Sequence, residues 1–119
     1  MANFRNLEIW KTAHKLTINM YKLTKKLPNE ELYILVPQLR RAAISVESNI
    51  AEGESRFHKK DKLKFFVDSR GSIGEIQTQL LIVADLYKDI KSSALELSEQ
   101  YVILGKRINS LISYRKNHE

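Results

Sequence analysis

The chain contains no cysteine. Disulfide scaffolds, thiolate nucleophiles and cysteine-ligated zinc are excluded with it, because each depends on the missing sulfur. Turn-forming residues are scarce as well, with four glycines and two prolines in 119 residues. So few breakers favour long helices over many short strands. The longest apolar run, LLIVA at 80–84, falls far short of the roughly 20 apolar residues that cross a bilayer. The opening MANFRNLEIWKTAHK mixes charged with apolar side chains and holds no signal-peptide core. A cytoplasmic protein with no membrane contact is expected.

Histidine is thinly spread too. His14, His58 and His118 are far apart, and none falls in a Glu-x-x-His or His-x-x-x-His pair. A di-metal carboxylate bundle needs Glu-x-x-His repeats on facing helices, so no metal or other cofactor is expected. Glu54 and His58 stand four apart across a helix start and read as a loose ion pair. The arginine-to-histidine spacing that marks helical ribonucleases of the HEPN type is missing. Arg56 and His58 are too close for it, as are Arg115 and His118. No catalytic residues are assigned, and an enzyme is not expected.

What the chain does have is a hydrophobic share of 43% and a formal charge of +6. Its length suits one domain, 1–119, with a single core. The charge fits either contact with a polyanion, whose counterions lysine and arginine displace, or simple solubility.

Four helices are expected. The first covers about 5–26, with Ile9, Trp10, Ala13, Leu16, Met20 and Leu23 on one stripe and most lysines off it. Trp10 reads as a core or subunit-contact residue. Pro28 stops this helix, a short turn follows at 30–35, and the second helix begins near Pro37. The second, 38–53, is QLRRAAISVESNIAEG. Leu39, Ala42, Ala43, Val46 and Ile50 share its inner stripe, and Gly53 is expected to end it in a left-handed C-cap. Arg40 and Arg41 flank the stripe and are expected to bridge to acids such as Glu30, Glu31 or those of a neighbouring subunit. Ser45 and Asn49, four apart, are candidates for a polar seam that fixes register or a subunit contact.

The third helix is expected over 58–90, with Leu63, Phe66, Val67, Ile73, Ile76, Leu80, Val83 and Tyr87 on its stripe. Arg70 and Gln77 interrupt that stripe, and Gly71 and Gly74 sit in the middle of the helix, each costing about 1 kcal/mol relative to alanine. Close approach of the Ala42/Ala43 face is the expected reason for them. GSIG lacks the preceding strand and the spacing of a nucleotide loop. A turn at 91–93 and a capping box opening at Ser93 should start the last helix, whose seam is Leu97, Tyr101, Leu104, Ile108 and Leu111. The tail SYRKNHE is expected to fray.

QLRRAAISVESNIAEG, followed at 70–87 by RGSIGEIQTQLLIVADLY, resembles the four-helix-bundle family of 23S rRNA intervening-sequence proteins. That family also includes accessory proteins of diversity-generating retroelements. The resemblance runs from Leu7 and Trp10 to the last helix, with Glu47 where relatives often carry proline. It implies an all-α, antiparallel up-down-up-down bundle assembled into a homo-oligomer, a ring of five. It also makes Arg40 and Arg41 candidates for RNA contact.

Short connections make neighbouring helices antiparallel. One end of such a bundle gathers Arg5, Arg56, Lys59, Lys60, Lys62, Arg115 and Lys116 against Glu52, Glu54 and Asp61. The other is mixed, with Glu30, Glu31, Asp85 and Asp89 facing Lys25, Lys26, Lys88 and Lys91. The run RFHKKDKLK at 56–64, the densest basic cluster, opens a helix whose N–H groups already favour anions. The leading expectation is therefore an oligomeric protein that binds the backbone of RNA or DNA. The rival is a scaffold that recruits a partner protein, such as a reverse transcriptase, without touching nucleic acid.

Overall fold

A computed structural model describes residues 3–118. Four helices make up the bundle, α1 (Glu8–Thr24), α2 (Leu35–Ser55), α3 (Lys59–Leu86) and α4 (Lys91–His118), with 3-10 turns in the α1–α2 and α3–α4 connections, a three-residue link between α2 and α3, and no strand among the described residues. Each helix packs on the next and α1 closes against α4. This is the up-down-up-down arrangement that short connections dictate. The molecule measures 46 × 21 × 20 Å. The long axis matches one 28-residue helix, which rises about 42 Å.

The core follows the apolar stripes. Met20, Leu39, Val46, Ile50, Phe66, Ile76, Leu80, Val83, Tyr101, Leu104 and Ile108 are fully buried. Burial raises the Tyr101 hydroxyl above its ordinary pKa, and the Glu47 carboxylate adds to the effect, so the phenol stays neutral. Trp10 is half-buried against this core, edge-on to Phe4 and stacked on His14, with ring centroids 5.2 and 5.0 Å away. The His14 ring meets Glu47 at 2.9 Å, tying α1 to α2.

Several helix ends differ from the sequence expectation. α2 starts at Leu35, slightly ahead of Pro37, which keeps its expected place in the first turn, where a missing N–H leaves no bond unmade. Gly53 does not end α2, and no glycine among the described residues has a positive φ. It is buried, and a Cβ there would lie 3.0 Å from the Lys62 carbonyl oxygen and 3.0 Å from the Phe66 ring. Its role is close approach to α3. No capping box forms at Ser93, because α4 already starts at Lys91 from the preceding 3-10 turn (Lys88–Ile90). The tail stays helical to His118, whose ring stacks on Tyr114 and reaches the Tyr114 carbonyl at 2.8 Å. Glu119 lies outside the described residues.

The expected contact of Gly71 and Gly74 with Ala42 and Ala43 is not made. Both glycines face outward, and a Cβ on either would meet nothing within 4 Å. Serines take the place assigned to them. Ser69 donates to the Val46 carbonyl at 2.9 Å, and Ser72 meets Ser45 at 2.9 Å, while Asn49 donates to Ser45 at 3.1 Å. Ser45 and Asn49 thus join a polar seam between α2 and α3 in which each hydroxyl has a partner, as burial requires. Ala42 and Ala43 are buried, and Ala43 lies under α1, where Thr17 donates to its carbonyl at 3.3 Å as well as to that of Ala13 at 3.1 Å. Val67, expected on the stripe of α3, is 48% exposed because Ser69 holds the inward position.

Candidate nucleic-acid interface

Residues 56–58 link α2 to α3, and the extended backbone at Arg56 and His58 lifts Phe57 out of the fold. Phe57 is 90% exposed, the most exposed of the large hydrophobic residues. It touches His58 edge-on at a centroid distance of 5.2 Å. Beside it Arg56 reaches back to Glu52 at 3.1 Å and lies over the Phe65 ring at 4.8 Å. His58 supplies no side-chain cap to α3, whose first turn holds one acid, Asp61. The positive end of the helix is therefore only partly balanced.

α4 ends against this junction. Arg115 is buried, its Nη1 donates to Glu54 Oε1 at 2.6 Å, and its guanidinium lies over the Phe66 ring at 5.2 Å. Glu54 therefore pairs with Arg115, and the loose Glu54–His58 pair expected from the sequence is not formed. Arg115 is withdrawn from solvent and cannot reach a ligand without breaking this pair. Lys59 Nζ donates to the Lys116 carbonyl at 3.3 Å, which ties the start of α3 to the end of α4. Arg5, Lys60 and Lys116 are exposed around the same pole, together with Lys59, and Lys62 is half-buried. These groups, with Phe57 and His58, gather at one end of the bundle.

Arg40 and Arg41 sit elsewhere and do not bridge to Glu30 or Glu31 within the subunit. Arg40 Nε donates to the Thr24 hydroxyl at 2.9 Å and its guanidinium lies 4.3 Å from the Tyr21 ring centroid, so it fastens α2 to α1. Arg41 is exposed and reaches Gln38 on its own helix at 3.5 Å. Neither adjoins the basic pole.

At the opposite pole Tyr87 donates to the Glu31 carboxylate, joining the end of α3 to the turn before α2. This bond is the main cause that pushes the Tyr87 pKa up to about 12, with loss of hydration and the charges of Glu31 and Glu30 acting in the same sense. A tyrosine whose pKa is raised on folding contributes stability below its unfolded value near 10, and loses it as pH rises toward the folded value. Stability should therefore decline between pH 10 and about 12. A pH series of thermal melts should show this decline in the natural protein and a shallower one in Tyr87→Phe.

Among the described residues no group of three or more His, Asp or Glu side chains is placed to hold a metal ion. No helix among them is long and apolar enough to cross a membrane. Sequence reasoning named the lysines of the pole but passed over Phe57, although the signal was present: an aromatic residue inside RFHKKDKLK. It also missed Gly53, Ser69 and Ser72 as the close-packing residues. No curated protein matches the chain. The family model described as 23S rRNA-intervening sequence protein matches residues 5–110, and the chain belongs to that family.

Proposed function

We propose that the protein is a non-catalytic RNA-binding protein of the cytoplasm that holds phosphate backbone at its basic pole and acts as a homo-oligomer, a ring of five subunits. The observation that carries this reading is the convergence of Lys59, Lys60 and Lys62 with Arg5 and Lys116 around one end of the bundle. Phosphate contacts give affinity without sequence reading, because displaced counterions supply the free energy. RNA is favoured over DNA by the family's name. Apolar side chains left open along the flanks, among them Ile18, Leu81 and Ile103 at 47–51% exposure, support subunit contacts. A ring repeats the basic pole about its axis and strengthens weak contacts through effective concentration.

The test is charge reversal. Lys59→Glu/Lys60→Glu/Lys62→Glu should lower RNA affinity by at least roughly tenfold at low salt, while Lys25→Glu/Lys26→Glu at the other pole should leave it nearly unchanged. Filter retention of labelled RNA reads the difference, with circular dichroism confirming that both variants fold. Equal retention by the two variants contradicts the reading.

A second reading rests on the opposite pole, where Leu32, Tyr33, Ile34 and Leu86 are 51–87% exposed. That apolar patch supports a scaffold that recruits a partner protein. Capture of such a partner would resist salt, whereas backbone binding weakens steeply with it.

A further inference from the structure

We infer that Phe57 is a stacking platform for an unpaired base, so that the basic pole takes single-stranded nucleic acid in preference to duplex. The inference rests on the phosphate reading above and adds to it the kind of strand recognised. A phenyl ring at 90% exposure leaves unused the free energy that burial of such a side chain yields. The ring stands on the three-residue link at 56–58, held up by extended backbone on both sides, and does not pack into the core. Just after it in the chain, in the first turn of α3, come Lys59, Lys60 and Lys62, which fit the charge of a phosphate chain.

Combining an aromatic face with cations is the way single strands are held without sequence reading. The cations track the backbone and the ring takes a base, because every base has a π-face. In a duplex those faces are already stacked, and the deep, narrow major groove of an RNA helix admits no side chain. A solvent-facing ring therefore gains little from a duplex and much from an unpaired strand. Its neighbours are arranged to leave it available. Arg56 is turned away onto Glu52 and Phe65, and His58 meets the ring edge-on with planes at 89°. The base ring this platform takes comes from a strand that has no partner strand at that nucleotide.

The experiment compares an unstructured oligouridylate of about 12 nucleotides with a blunt RNA duplex of the same length, by fluorescence anisotropy at one low salt concentration. The natural protein should bind the single strand more tightly. Phe57→Ala should weaken single-strand binding by roughly 5- to 100-fold, the effect of losing one base–aromatic stack. Its duplex affinity and its particle mass by light scattering should stay unchanged, and Phe57→Trp should retain single-strand binding. Equal affinity of Phe57→Ala and the natural protein for oligouridylate overturns the inference, as does an equal loss on both probes. A fall in particle mass with single-strand affinity intact also overturns it, by making Phe57 a contact with a second copy. The phosphate reading fails separately: it falls if Lys59→Glu/Lys60→Glu/Lys62→Glu binds both probes as the natural protein does.

Discussion

Replacing Arg115 with alanine should destabilise the folded subunit by about 3–5 kcal/mol, the cost of leaving one member of a buried ion pair without its partner. The side chains of Arg115 and Glu54 are 10% and 11% exposed and 2.6 Å apart, so neither charge can recover full hydration when the other is removed. The guanidinium also covers the Phe66 ring at the centre of the α2–α3–α4 junction, and its removal opens space there. A fall in Tm on the order of 10–20 °C should accompany Arg115→Ala, and Glu54→Ala should behave alike. The paired apolar change Glu54→Leu/Arg115→Met should recover much of the loss, because neither charge then remains buried alone. At temperatures where Arg115→Ala is folded, its RNA affinity should stay close to that of the natural protein. A selective loss of affinity without loss of stability would place Arg115 among the binding residues instead.

The second large effect separates the glycines. Gly53→Ala should cost about 1–3 kcal/mol, because the added methyl group presses on a backbone oxygen that cannot turn aside. Contacts at 3.0 Å to the Lys62 carbonyl and at 3.1 Å to Phe65 Cβ outweigh the helix propensity that alanine brings. Gly71→Ala and Gly74→Ala should do the reverse and each stabilise by about 0.5–1 kcal/mol, since both positions are helical and open. Urea unfolding of the three variants checks the contrast. Destabilisation by alanine at 71 or 74 would mean that another subunit covers those positions, which would locate a ring contact.

The architecture was legible because its signals are apolar and periodic. Leu97, Tyr101, Leu104 and Ile108 mark the inner face of α4 at four- and three-residue spacing, and all four are buried. The pole was legible for a topological reason: with short links, the ends of α2 and α4 must meet the start of α3. The contacts between the poles were less so. Ser69 and Ser72 look like surface residues in a hydrophobicity pattern, yet Ser69 is buried because its hydroxyl closes on a backbone carbonyl, which no apolar scale records. Arg115 is hidden in the same way. Its place in a charged tail suggested a phosphate contact, and only the proximity of Glu54, 61 residues earlier, shows where its charge is used. Gly71 and Gly74 misled in the opposite sense: small residues in a helix permit close packing but do not require it.

The separation of basic side chains into structural and ligand-facing groups is the centre of this account. The slope of log affinity against log salt for a single-stranded RNA, measured for the natural protein and for Lys59→Glu/Lys60→Glu/Lys62→Glu, tests it most directly. Three lost phosphate contacts should make the slope shallower by about 2, at roughly 0.7 per contact. Parallel lines for the two proteins would show that these lysines displace no counterions, and the basic pole would not be where RNA is held.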